Sequence, residues 1–450
     1  MTEALAYASR NWLPGRTPQL LLVGIAASAL ALPVGLGLAR SEAPLSPELA
    51  AGAAFLAIVA LAVARLDAAV VLGLALTSIV LVEPAPADVV LVVVIAVATV
   101  TGRFRIASVP PIVLGALGAL LTLNLLSAVE VVDATRAAVY LSITAYLIVL
   151  AVWLSGYVSS FRRARLVTGA YAFAAVGSAA LGLLAFFVGI PGSDLLVEGG
   201  RVQAFFQDPN VFGPFLVPIA LILTEDIMTP RLFGLRRLAK VSLVLLLVLG
   251  VTLSFSRGAW INLTLGAVVV LGVLALRQGG GRKAILALAL ALALAGSVMG
   301  ILSVTGSQDF LVDRARLQGY DATRFSAQVI GIESAERYPL GVGPGQFESY
   351  APISAHSLYV RVVGEQGLAG LLALLTVLVS TLIVAARNAL AGRDTYGIGS
   401  AALLGAWCGL LVNSLVVDTI HWRHLWIVAA LIWAGWARSA VRPGADRVSA

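Results

Sequence analysis

The sequence predicts an all-α polytopic membrane protein of about 12–14 transmembrane helices, and three observations carry that expectation. Of its 450 residues, 60% are hydrophobic and only 12% charged, with a mean hydropathy of +0.98. Soluble domains carry about 25% charged residues. The apolar residues gather in runs close to the ~20 that cross a bilayer. Lys and Arg sit between those runs and alternate in density from one connection to the next.

Taken in order, the apolar runs lie near 20–39, 48–64, 68–82, 88–101, 109–127, 135–155, 166–189, 210–224, 240–254, 258–276, 284–304, 358–386, 396–416 and 421–437. The third and fourth are short, which sets the lower bound of twelve. The first reads as an uncleaved span, because further spans follow at once and it lacks a convincing cleavage site. With the N-terminus taken as cytoplasmic, twenty of the thirty basic residues fall on that side. The other side holds Arg40, Arg136, Arg201, Arg257, Arg314, Arg316, Arg324, Arg337, Arg361 and Arg423. The short loops then follow the positive-inside rule, with both termini inside. All three histidines, His356, His421 and His424, fall outside, together with the long polar connections 190–209 and 305–356. A site on that face has no access to ATP or nucleotide sugars. The basic residues are scattered, which argues against a nucleic-acid partner. Cys408 is alone and permits no internal disulfide.

Four outer stretches could do chemistry. In GGRVQAFFQDPNVFG, Asp208 followed by Pro209 marks a helix start, with Asn210 in the first turn and Arg201 just before. The choice there lies between a capped helix with a surface arginine and an arginine held to meet an anion. In SFSRGAW, Ser256 can cap a span that begins with Arg257. An arginine inside a span costs roughly 2.5–3.5 kcal/mol and opposes the helix dipole, so it either snorkels to head groups or meets an anionic partner. In the polar connection, Phe325, Val329 and Ile332 recur at helical spacing. That helix would lie apolar side down in the interface, with Arg324 and Gln328 on a neighbouring face. Last comes GVGPG, whose Gly343 and Gly345 amides could approach phosphate, followed by His356. A neutral histidine near water can take a proton from a hydroxyl, although a lone histidine is commonly structural. Glu365 follows about 14 Å deeper and on roughly the opposite side of the helix, where a carboxylate needs a partner such as Arg257 or Arg361. A structural and electrostatic role fits it better than acid–base work. No Asp-x-Asp, cysteine pair or His-x-x-x-His metal set is visible, so a diphosphate here would be neutralised by arginine.

The combination of Arg201 before F-x-x-P-N (Phe206, Pro209, Asn210), S-R-G-A-W (Ser256–Trp260), Arg324, P-L-G-V-G-P-G (Pro339–Gly345) and H-S-L-x(6)-E-x-G-x-x-G resembles the O-antigen ligase and O-antigen polymerase superfamily. The last motif is carried by His356, Ser357, Glu365, Gly367 and Gly370. The resemblance covers roughly 200–386 and divides the chain into N-terminal transmembrane helices over 1–190 and a catalytic membrane region over 191–450, including the outer loop 305–356. It implies a fold like that of the C-type glycosyltransferases, with short amphipathic helices on an extracytoplasmic loop, in a bacterial inner membrane. It implies a metal-independent, inverting glycosyltransferase without cofactors. The donor would be an undecaprenyl-diphosphate-linked glycan and the acceptor a glycan or a lipid. Arg201, Arg257 and Arg324 would hold the diphosphate, and His356 would activate the acceptor hydroxyl. The outer loop is only modestly polar, so the acceptor pocket would be small or shared with lipid. A transporter or flippase of lipid-linked glycan would instead predict matching halves and paired ionisable groups at mid-membrane; the halves do not match.

Overall fold

The computed structural model describes residues 47–440, apart from 83, 278–279, 305, 307–308, 310–311, 314–315, 317–318 and 352. Each apolar run from 48 onward becomes a helix, and the run 20–39 lies outside the described residues. The first six are α1 (Pro47–Ala64), α2 (Leu66–Ala75), α3 (Pro86–Val100), α4 (Pro111–Ser127), α5 (Ala134–Tyr157) and α6 (Phe161–Val188). Their boundaries follow local chemistry. Proline, which has no amide to leave unsatisfied, opens α3 and α4. The Asp133 and Ser160 side chains accept from Arg136 N and Arg163 N to cap α5 and α6. Gly189, in a left-handed conformation, ends α6.

A small antiparallel hairpin, absent from the sequence expectation, follows: β1 (Val197–Glu198) pairs with β2 (Arg201–Val202). The bundle resumes with α7 (Pro209–Met228), α8 (Arg237–Leu253), α9 (Arg257–Leu276) and α10 (Gly280–Val304). The long polar connection carries α11 (Gly319–Arg337) and a single turn, Phe347–Tyr350. The chain closes with α12 (Leu358–Leu390), α13 (Ser400–Asn413) and α14 (Arg423–Ala440). Among the described residues, six helices are long and apolar enough to cross a membrane: α4, α5, α6, α7, α9 and α12. Four shorter apolar helices, α1, α2, α3 and α13, pack beside them. The protein is an all-α, multi-pass membrane protein.

The centre of the bundle is α7, whose apolar window is 83% buried where those of α9 and α12 are 33% buried. Against α7 lie α8, α9 and α13. The tightest crossing joins α9 to α13. Gly258, Asn262 and Gly266 on one helix, and Gly405, Gly409 and Asn413 on the other, recur every four residues and so line one face. Small residues let membrane helices approach until their backbones touch. A Cβ on Gly409 would sit 2.0 Å from Asn262 Oδ1, and one on Gly258 would sit 2.3 Å from Asn413 Oδ1. Each asparagine is thus set against the other helix's glycine. Gly409→Val should therefore lower the melting midpoint of the detergent-solubilised protein, since overpacking a close contact costs about 1–3 kcal/mol. An unchanged midpoint would show that the crossing is loose.

At one end of the bundle, buried ion pairs tie the helices together: Lys240 Nζ lies 2.8 Å from Asp226 Oδ2, and Arg277 Nη1 lies 3.1 Å from Glu225 Oε1. The other end receives the starts of α7, α9, α12 and α14 and the finish of α13. It holds the long polar connection.

Helix α12 is not continuous. Gly367 has φ 65° and ψ −172°, which interrupts the helical ladder. The carbonyls of Gly364 and Glu365 would ordinarily bond within the helix. They accept instead from Val342 N (2.9 Å) and Gly343 N (3.0 Å). The Pro339–Gly345 loop thus supplies the amides that the break removes, as a membrane helix requires when its ladder fails. Glycine is demanded on both sides of this contact. A Cβ on Gly341 (φ 83°) would meet the Glu365 backbone at 2.1 Å, and one on Gly367 would meet Pro339 O at 2.0 Å.

Candidate active site

The hairpin is what aims Arg201. Gly199 and Gly200, at φ 55° and 75°, make the tight turn that positive φ allows. Arg201 Nε then donates to the Ser254 carbonyl (3.0 Å) and Nη2 to Asn210 Oδ1 (3.0 Å). Asp208 caps α7 as expected, accepting from Asn210 N at 2.8 Å. The Ser254 carbonyl belongs to the turn that introduces α9. In that turn Phe255 has φ 45°, and Ser256 accepts from Ala259 N at 3.3 Å to cap the helix. Arg257 is the first residue of α9, half-buried, and its Nη1 donates to the Arg316 carbonyl of the long polar connection (3.2 Å). The structure therefore joins Arg201, Asp208, Asn210 and the Arg257 turn into one group at the start of α7 and α9.

His356 arrives from the long polar connection. It sits immediately before α12, and Ser357, not His356, caps that helix by accepting from Val360 N (3.4 Å). The backbone at His356 has φ 44°, a conformation that costs a non-glycine residue roughly 1–3 kcal/mol and clusters at functional sites. Two contacts hold it there. Its carbonyl accepts from Gln328 Nε2 on α11 (3.3 Å), and Leu358 N next along donates to the Ser414 carbonyl after α13 (2.9 Å). The side chain is half-buried. Its pKa is lowered from 6.5, first by burial and then by the positive charge of Arg324, while Asp208 pulls the other way. Both charges act on His356 because α11 and the start of α7 flank it. The imidazole is therefore neutral near pH 7. Helix α11 carries Arg324 one turn before Gln328. It packs Ala327 and Gly331 inward and leaves Phe325, Val329 and Ile332 exposed.

Gly343 and Gly345 depart from the expectation. Their amides do not face outward toward a phosphate. Gly343 N is bonded to the Glu365 carbonyl and Gly345 N to Glu365 Oε2 (3.0 Å), because the loop closes the break in α12. Phe347 N donates to Glu365 Oε1 at 3.2 Å. Glu365, fully buried, is thus the anion that this glycine loop cradles.

The partner of Glu365 is Arg361, one turn earlier, with Nη1 to Oε1 at 2.8 Å. Arg361 also contacts Glu348, Ser354 Oγ (2.7 Å) and Asp418 Oδ2 (2.5 Å from Nε). Arg136 adds a second cation, 2.9 Å from Glu348. Burial raises the Glu348 pKa, but its bond to Arg361 and the neighbouring cations outweigh that and leave it below the ordinary carboxylate value. Gln346, with no exposed surface, accepts from Val132 N and Asp133 N and fixes the loop to the start of α5. Sequence reading missed Glu348, Gln346 and the role of Asp418. The legible signal was Arg361 and Glu365 four residues apart in an apolar helix, where neither is tolerated without charge compensation.

Residues 242–375 match the family model described as O-antigen ligase. Over that stretch the chain is similar to O-antigen ligases. The matched stretch contains Arg257, Arg324, the glycine loop, His356 and Glu365, while Arg201, Asp208 and Asn210 lie before it and are brought to it by the fold. O-antigen ligase domains mark ligase- or polymerase-type glycan transfer on lipid-linked substrates in a membrane. No curated protein matches the chain.

Proposed function

We propose that this protein is a metal-independent, inverting glycosyltransferase that moves or polymerises undecaprenyl-diphosphate-linked glycan at the outer face of the bacterial inner membrane. The observation that carries the reading is that His356 feels the charges of Arg324 and Asp208, and that Asp208 opens the helix whose Asn210 holds Arg201, itself bonded to the turn before Arg257. Arg201, Arg257 and Arg324 hold the donor diphosphate, and His356 is the base. The acceptor hydroxyl oxygen attacks the anomeric carbon from the face opposite the diphosphate. The bond from that carbon to the diphosphate oxygen breaks, and its electron pair leaves with undecaprenyl diphosphate. The hydroxyl proton passes to the neutral imidazole of His356. Arginine charge on the departing diphosphate strengthens as the bond breaks, which is where electrostatic help accelerates a reaction.

Reconstitution tests this. The purified protein, given an undecaprenyl-diphosphate-linked glycan and an acceptor in the presence of EDTA, should form a new glycosidic bond of inverted configuration and release undecaprenyl diphosphate. Movement of the lipid-linked glycan across liposomes without a new bond would replace this reading with a transporter.

The acid limb of the pH profile gives a second test. The base works as neutral imidazole, so activity falls as pH drops through a His356 pKa that lies below 6.5. Arg324→Gln removes a charge that depresses that pKa, so the midpoint of the limb should move to higher pH. An unmoved midpoint, whatever happens to the plateau, would separate Arg324 from His356.

A further inference from the structure

A second feature lies at the opposite end of the bundle, away from His356. Between α2 and α6 runs an open groove of about 760 Å³. Its floor is made of small and aliphatic side chains, including Ala68, Leu72, Gly169 and Ala170, and Phe173 stands exposed at one end. Arg162 and Arg165 stand at the other, where α6 begins. From Arg162 to Phe173 is eleven residues, or about 16 Å of helix at 1.5 Å per residue. One leaflet of the hydrocarbon core is about 15 Å thick, half of ~30 Å. The groove is therefore as long as one acyl chain and carries cations only at its rim.

The charge at the rim is in excess. Asp67 lies 2.6 Å from Arg162 and 4.0 Å from Arg163. One carboxylate therefore faces both Arg162 and Arg163, in a turn that also carries Arg165. Arg165 is exposed, and a Cβ added to Gly234, on the connection between α7 and α8, would lie 3.9 Å from its guanidinium. Basic pockets beside membrane helices attract anionic head groups.

We propose that this groove binds one anionic glycerophospholipid, its phosphate against Arg162 and Arg165 and an acyl chain along the α2–α6 floor. The site is separate from the glycan-transfer machinery and does not rest on it. A zwitterionic lipid meets the same floor but gains less from the rim, so head-group charge decides occupancy.

Native mass spectrometry of the full-length protein, released from detergent after equilibration with equal amounts of phosphatidylglycerol and phosphatidylcholine, reads this directly. The wild type should retain one phosphatidylglycerol in preference. Arg165→Gln should weaken that retention about fivefold, the effect of one basic residue near a charged membrane surface. Gly169→Leu should abolish it while leaving the melting midpoint of the lipid-free protein unchanged, because a Cβ at Gly169 meets no protein atom within 4 Å. Equal retention of the two lipids would overturn the charge argument. Full retention in Gly169→Leu would overturn the groove, and a large fall in its melting midpoint would assign the space to protein.

Discussion

Replacing His356 by alanine should lower glycan transfer by about 10²–10⁴-fold, the usual contribution of a positioned general base, with little change in the amount of folded protein. Several contacts separate the chemistry of this side chain from the fold. The bond to Gln328 uses the His356 carbonyl, the cap of α12 is Ser357, and the tie to α13 is the amide of Leu358. None of these requires the imidazole. Initial rates with a lipid-linked glycan, measured beside the melting midpoint, distinguish the two effects. Transfer within a few-fold of wild type would remove His356 as the base. Loss of transfer accompanied by a collapsed midpoint would make its role structural.

Arg361→Met should be the most destabilising single change at this end of the protein. The guanidinium is shared by Glu348, Glu365 and Asp418, and it is almost completely buried. Removing it leaves Glu365 in the interior with only the amides of Gly345 and Phe347 for company. Breaking a buried ion pair from one side costs about 3–5 kcal/mol. A drop in melting midpoint, largely restored in an Arg361→Met, Glu365→Gln double variant, would establish the uncompensated charge as the cause. A single variant that melts like wild type would show that the carboxylates are adequately held by their amides.

Much of this was legible beforehand, and the reason is chemical. Helices in a bilayer must be long and apolar, so thirteen of the fourteen runs coincide with helices and the other lies outside the described residues. Caps such as Asp208 and Ser256 are local and could be read from one or two residues. The grouping of Arg201 with Asn210 follows from nine residues of spacing plus a Gly-Gly turn, whose hairpin the sequence expectation passed over. What could not be read was long-range. That Gln346 reaches Asp133, or that Asp418 reaches Arg361, depends on how distant segments fold together. The glycine loop shows the same limit. Its positive φ angles were foreseeable, but the partner of its amides was not. A glycine loop beside an arginine-rich face suggests phosphate; here the amides complete a neighbouring helix and hold a carboxylate.

The interruption at Gly367 has a consequence for biogenesis. When α12 first enters the membrane, two of its peptide oxygens lack their mates until a stretch twenty-two residues upstream folds back onto it. The loop and the span must therefore mature as a unit. A proline at Val342 would remove one of the donated hydrogens and leave the span incomplete, even though the mutated position lies outside it. His356 lies between that loop and the span, so the candidate site adjoins both partners of this contact.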